Sequence, residues 1–427
     1  MQPAKEYLTR EVYGISRELP LNYVDREKVD NLFVEAISKD KIIVVHGSSK
    51  QGKTSLRKRW LIEDKDYILI QCSNKWKLGD LFAKVLKSAG FRLEGATTSR
   101  LETSGKLEGK IDVGLFGKGV SATVEGDVKK STESLSQKIS VDINDVGDII
   151  SALKETGFSK FIVLEDFHYL EKDVQSDFSI ALKNFYENSK VIFIIVGIWV
   201  EQDRLIAYNG DLAGRVIPIS VDIWNRNDLS KVIHAGEALL NISFSQQIFD
   251  DVIQYCNESV YILQESCYRI CEKLGIGKTQ KEMREIKDGI NVQDIVKDIV
   301  NLQSSRYMSF FTHFDAGFQK TELAMYKWIL YTLLKSSETQ LSKGLTLNEI
   351  YQLIISKHPK GSELNQGNLT QALQNVSNLQ IQKNIQPLVI DYDNTNLKLN
   401  VVDNGFLIWM KYQDVNSILN QFSLPLD

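Results

Sequence analysis

The sequence predicts an α/β fold: an open parallel five-stranded sheet with helices on both faces, then a small helical lid, then a C-terminal winged helix. Three observations predict it. Five short β-branched runs, at 42–45, 67–72, 161–166, 191–197 and 216–221, alternate with segments whose apolar residues recur at helical spacing. A glycine-rich loop lies between the first run and the helix after it. Beyond residue 225 the strand pattern gives way to helices, and a hairpin pattern returns only near 387–401.

The bulk numbers set the frame. A chain of 427 residues is long enough for two or three domains. Its 43% hydrophobic and 25% charged content is that of an ordinary globular protein, and a net charge of −4 leaves room only for a local basic patch. Four cysteines form no CxxC pair. Cys267 and Cys271 lie one helical turn apart, with no second pair of His or Cys to complete a metal site, and read as core thiols in a reducing compartment. The opening Met1–Tyr7 lacks the pattern of a signal peptide, and the longest apolar run, 191–200, is too short to span a bilayer. The expectation is a cytoplasmic protein with no membrane partner.

The chain divides into a lead-in (1–40), a sheet-bearing core (41–224), a helical lid and connector (225–305) and a C-terminal domain (320–427). In the lead-in, Val29, Leu32, Phe33 and Ile37 share one helical face. Ile42 to Val45 read as a buried parallel strand. Gly47, Ser48, Ser49, Lys50, Gln51, Gly52, Lys53 and Thr54 then match G-x-x-x-x-G-K-[ST] at every fixed position, and Ser55 continues into a helix. The two fixed glycines let the backbone curl so that successive N–H groups face a phosphate, and the new helix adds its positive end. Lys53 reaches towards the β- and γ-phosphates, and the Thr54 hydroxyl takes a place on Mg²⁺.

Tyr67 to Cys72 and residues 78–88 form a second strand and helix. Residues 95–140 are rich in Gly, Ser, Thr, Lys and Glu and read as an insertion. Within it, Ile111, Val113 and Leu115 and then Val120, Ala122 and Val124 alternate on either side of Gly117–Gly119. This is a hairpin signal whose apolar face needs a cover; a mobile loop is the alternative. After a helix at 145–154, the run 161–166 ends in Glu165 and Asp166. Behind a phosphate loop, one such carboxylate holds Mg²⁺ through water and its neighbour polarises the attacking water. His168, just after, reads as structural. Helical spacing at Phe178, Leu182 and Phe185, the run 191–197, a helix at 201–208 and the run 216–221 complete the sheet, whose ligands belong at the carboxyl ends of the strands.

Four features in order carry a resemblance: Gly47–Thr54, Phe161–Asp166, the apolar run 191–196, and Arg215 just before the fifth strand. Over residues ~20–275 the sequence resembles the AAA+/STAND branch of P-loop NTPases. The resemblance implies ATP and Mg²⁺ as cofactors and an ATPase activity. It implies a cradle from Gly47 to Ser55, metal-side oxygens from Thr54 and Glu165, and Tyr23 and Val24 closing over the adenine, although a plain packing helix accounts equally for the latter segment. It places Arg215 where an arginine reaches the γ-phosphate of a neighbouring subunit; a structural arginine tying the turn is the alternative, and Arg204 the backup. The sequence departs from the family in three ways. The acids stand in the order Glu165–Asp166 rather than aspartate first. The fourth strand runs into Gly197–Trp199 with no polar sensor. The lid has Tyr261 near the place of a sensor arginine, with Arg269 further on. All three imply slow or partner-stimulated hydrolysis.

The C-terminal domain has helices at 323–334, 346–355 and 368–379, then a ribbon at 387–392 and 397–401, an order resembling a winged helix. Its third helix contains no Lys or Arg between 367 and 380. DNA affinity rests on phosphate contact and positive charge, so a protein contact or regulation of the lid is favoured over DNA. The leading expectation is an ATP-dependent switch that couples nucleotide state to homo-oligomerisation or a protein partner through the hairpin and the winged helix. Stress or anti-phage defence is the family setting. The alternative is a DNA-associated ATPase of the origin-recognition or transposition-regulator type.

Overall fold

Continuous apolar β-branched runs form strands buried on both faces, and here they build one parallel sheet in the order β2-β6-β7-β1-β8. The strands are β1 (Ile42–His46), β2 (Tyr67–Gln71), β6 (Phe161–Glu165), β7 (Phe193–Gly197) and β8 (Val216–Ser220). The computed structural model describes residues 5–94, 110–115, 138–287 and 289–426. The chain leaves β1, fourth in that order, crosses to the β2 edge, returns through β6 and β7, and passes over β1 to β8. That reversal makes β1 the switch point beside which such sheets bind ligands.

Alternate residues of each strand face opposite helix layers. Ile42, Val44, Ile68, Ile70, Leu164 and Ile195 pack against α4 (Leu78–Ser88), α5 (Val146–Glu155) and α6 (Lys172–Asn188). Ile43, Val45, Val163, Ile194 and Ile219 pack against α2 (Glu27–Ile37) and α3 (Lys53–Trp60). Before them, α1 (Thr9–Val12) straps the chain onto the lid: Thr9 N donates to the Gly277 carbonyl at 3.0 Å and the Tyr13 hydroxyl to the Ile233 carbonyl at 2.7 Å.

The expected hairpin within the insertion takes a different form. Residues 110–115 are a strand, β4 (Lys110–Leu115), but it is central in an antiparallel sheet between β3 (Phe91–Glu94) and β5 (Lys138–Asp142). Neither flanking strand stands out by composition; each is recruited by pairing with β4. The second expected arm, 120–124, and its turn, 117–119, lie outside the described residues.

The segment expected as a lid contains α8 (Arg226–Leu240), α9 (Gln246–Tyr255) and α10 (Val260–Lys273). It also has a short parallel pair, β9 (Ile242–Phe244), between α8 and α9, and β10 (Arg284–Ile286), after α10. Then come the connectors α11 (Val292–Asn301) and α12 (Ser304–Ala316). In the core, α7 (Arg204–Tyr208) is shorter than expected, because Glu201 turns back to pair with Arg204 instead of extending the helix.

The C-terminal domain contains α13 (Met325–Lys335), α14 (Glu338–Lys343), β11 (Leu345–Thr346), α15 (Leu347–Ile355), α16 (Gln366–Gln374) and α17 (Val376–Gln382). It ends with β12 (Ile390–Asp393), β13 (Lys398–Val401), α18 (Asn404–Lys411) and α19 (Val415–Gln421). Its strands order as β11-β13-β12. The single helix expected at 368–379 breaks at Asn375, whose backbone (φ −107°, ψ 5°) leaves the helical region. The break lets buried Gln380 stitch α17 to the strand below. Its amide nitrogen donates to the Ile390 carbonyl at 2.7 Å, and its oxygen accepts from Val389 N at 2.7 Å. One apolar cluster runs through the lid, α11, α12 and the C-terminal helices without interruption.

Candidate nucleotide-binding site

The parallel sheet brings the carboxyl ends of β1, β2, β6 and β8 to one rim. At the end of β1 the loop 47–52 curls under a backbone that needs its glycines. Gly52 has φ +90°, and at Gly47 (φ +140°) a Cβ would stand 2.9 Å from an Asp222 carboxylate oxygen. Asp222, two residues past β8, accepts from Ser48 N at 2.8 and 2.9 Å and from Ser48 Oγ at 3.1 Å. Burial pushes its pKa up, against the pull of Lys53 and Ser48. Nothing near Asp222 in the sequence marks it; only the β1–β8 pairing brings it to the loop.

Lys53 folds back on its own loop, donating to the Gly47 carbonyl at 2.9 Å and the Ser48 carbonyl at 2.6 Å. Burial lowers its pKa to about 8, partly offset by Asp222, Asp166 and Glu165. Lys50 takes a left-handed backbone (φ +61°), and its ammonium lies 3.9 Å from the ring centroid of Tyr261 on the lid. Gln51 is pinned on both sides: its carbonyl accepts from Trp224 Nε1, and its amide donates to the Glu258 carbonyl, each at 3.3 Å.

The expected residues Tyr23, Val24, Lys50, Gln51, Gly52, Lys53, Thr54 and Ser55 line one cavity of about 470 Å³, together with Trp224, Val260 and Gln264. Its size suits a nucleotide. The Tyr23 hydroxyl donates to Asp30 at 2.6 Å, so the ring is held from behind. Arg26, invisible to the sequence reading, stacks its guanidinium 4.2 Å over Trp224 and donates to the Val221 carbonyl at 2.8 Å. Asn22 and Gln264 exchange amide hydrogen bonds of 2.8 Å between the lead-in and the lid segment. A larger cavity of about 770 Å³, beside Phe318 and Tyr326, contains none of the motif residues.

At the end of β6, Glu165 Oε1 lies 3.5 Å from Thr54 Oγ1. These are hard oxygens of the kind Mg²⁺ takes, and phosphate and water would complete its shell. Among the described residues, no group of three or more His, Cys, Asp or Glu side chains is arranged to hold a metal unaided. Glu165 also accepts from Arg57, at 3.2 Å from Nε and 2.8 Å from Nη2. Asp166 sits in a left-handed backbone (φ +58°) and accepts from Gln71 Nε2, at the end of β2, at 2.8 Å. The buried His168 ring accepts from Ile198 N at 3.2 Å, and burial holds it neutral.

The two arginines considered for a γ-phosphate contact lie elsewhere within this chain. Arg215 precedes β8, at the rim opposite the phosphate loop, and pairs with Glu187 at 2.8 Å. Arg204 is buried in an ion pair with Asp391 of the C-terminal domain and with Glu201 at 3.2 Å. It is a structural arginine, because a cation neutralised on both sides is not free for phosphate.

The sequence matches no known family model. No curated protein matches it significantly. Among solved structures, it is similar over its length to the Walker-type ATPase of Pyrococcus abyssi, with 11% identity, 91% of this chain and 96% of that chain covered and a TM-score of 0.46. It is also similar to Cdc6p from Pyrobaculum aerophilum, with 12% identity, coverage of 93% and 95% and a TM-score of 0.38. A third match is the Aeropyrum pernix Orc1 protein in complex with DNA, with 8% identity, coverage of 97% and 98% and a TM-score of 0.42. Among the described residues, no helix is long and apolar enough to cross a membrane.

Proposed function

We propose that the protein is an ATP-binding, slowly hydrolysing switch whose C-terminal domain responds to the state of the phosphate loop. The observation that carries this reading is a backbone contact. Ser49 N, in the middle of the loop, donates to the Val402 carbonyl of the C-terminal domain at 3.0 Å. Around it, Ile198 packs with Ile381, Leu388 and Val402, and Arg204 pairs with Asp391. A nucleotide that remodels this loop acts directly on the domain, which is the differential contact a switch requires.

In this reading, the backbone amides of the loop and Lys53 bind the phosphates, while Thr54 and Glu165 hold Mg²⁺, which supplies charge neutralisation at the phosphoryl oxygens. Asp166 orients the attacking water once Gln71 releases it. Its short side chain and its existing partner favour slow turnover. Arg215 would meet a γ-phosphate only in a neighbouring copy and only by leaving Glu187, so assembly is part of the proposal. A uniformly neutral α16–α17, whose Gln374 carbonyl accepts from Lys172 of the core, speaks against DNA as the partner.

The test pairs binding with conformation. ATP binding by wild type should be lost in Lys53→Ala. Limited proteolysis should cut the C-terminal domain at different rates with ATP and with ADP. Identical cleavage with both nucleotides, at saturation, would refute the switch. Tight, salt-sensitive, ATP-dependent binding of duplex DNA would replace it with the DNA-associated reading.

A further inference from the structure

We propose that Arg57 is a fixed internal cation on the metal side of the phosphate loop, which positions Glu165 and leaves nucleotide binding only weakly dependent on divalent metal. This rests on the nucleotide-binding reading above. Arg57 lies three residues after Thr54, on the same face of α3. Its side chain is 3% exposed, against 18% for Glu165. Nε and Nη2 converge on one carboxylate oxygen, Oε1, at 3.2 and 2.8 Å, and Nη1 donates to the Tyr67 hydroxyl. The guanidinium also lies 4.7 Å over the Tyr67 ring, and the Tyr67 hydroxyl donates to Glu63 at 3.2 Å. The cation is therefore locked from three sides and cannot swing away at small cost.

Two consequences follow. First, Oε1 is shared between Arg57 and the Thr54 hydroxyl, so Oε2 is the oxygen left for a metal-bound water. Second, a divalent ion approaching Glu165 meets a carboxylate already neutralised, with a positive group beside it that repels it. Arg57 acts through Glu165 and is a positioning residue.

The experiment is calorimetric titration of ATP into the full chain, in excess Mg²⁺ and in excess EDTA. For wild type the ratio of the two dissociation constants should stay below about tenfold. Arg57→Gln should raise that ratio by about fivefold or more, the scale of one ion-pair contact, and Arg57→Lys should restore part of it. A purely structural role predicts that Arg57→Gln weakens binding equally in both buffers, and an unchanged ratio overturns the proposal. So does a wild-type ratio above about tenfold, which needs no variant and is immune to misfolding of the glutamine form. Absence of ATP binding by wild type in both buffers overturns this proposal together with the reading beneath it, and is distinguished from the other outcomes by that absence.

Discussion

Lys53 carries the clearest pH signature in the molecule. Its folded pKa is about 8, below the ordinary lysine value of 10.5, because burial disfavours the charged form. The sign follows from which state binds more protons. Between about pH 8 and about pH 10.5 the unfolded chain holds this proton and the folded one does not, so the residue's contribution to stability rises with pH through that window. ATP reverses the local preference, because triphosphate favours the ammonium. Binding above about pH 8 must therefore take up a proton, and affinity should fall as pH rises, by at most about tenfold per unit. Titrations between about pH 7 and about pH 9.5, in two buffers of different ionisation heat, measure both the affinity and the proton uptake. A flat profile in wild type would rule out the depressed pKa. Asp222 poses a separate residue-scale test. Asp222→Ala removes the acceptor of Ser48 N and Oγ, and each charge-assisted bond of this kind contributes about 1.5–3 kcal/mol. Thermal melts should show that loss, with weaker ATP binding in parallel.

At the scale of elements, legibility divides by whether the signal is local. The strands β1, β2, β6, β7 and β8 each announce themselves as apolar runs, and the loop 47–54 is a contiguous pattern, so the sheet and the phosphate end of the site were readable. The two-residue β11, the pair β9–β10 and the flanks of β4 exist only through pairing with distant partners. Asp222, Gln71 and Arg57 fall in the same class, for each gains its role from a strand end folded beside it. The break between α16 and α17 was hidden for another reason: Gln380 looks like a surface residue, yet it is fully buried and joins α17 to β12. Gln380→Leu keeps the volume but strips partners from Val389 N and the Ile390 carbonyl. The cost should be about 1–3 kcal/mol for each group left unpaired. Denaturant unfolding would measure it; a change within about 0.5 kcal/mol, as for an ordinary surface position, would show the stitch to be dispensable.

Across the whole molecule, three contacts beside the bond from Lys172 to the Gln374 carbonyl hold the C-terminal domain over the carboxyl rim of the sheet. One is the backbone bond from Ser49 to Val402, one the small apolar cluster around Ile198, and one the polar group of Arg204, Asp391, Glu201 and Thr395, in which Thr395 donates to Glu201 at 2.5 Å. The polar group is the weakest place energetically, because taking both charges from water is costly and attraction within the pair only offsets it. Its value is orientation: Ser377 also donates to Asp391, at 2.6 Å, so α17, β12 and α7 meet at one carboxylate. Asp391→Ala leaves Arg204 buried with only Glu201 and should cost about 3–5 kcal/mol, the range for breaking a buried pair on one side. Replacing the whole ion group, Arg204→Met with Asp391→Leu and Glu201→Gln so that no carboxylate stays buried without its cation, should recover most of that stability. Orientation should not recover with it. If docking of this domain restrains the phosphate loop, bound labelled ATP should leave the triple variant faster than wild type although the two melt alike. Equal release rates at equal stability would mean that the loop is indifferent to the domain above it, and the Ser49–Val402 contact would then be packing without consequence for the nucleotide.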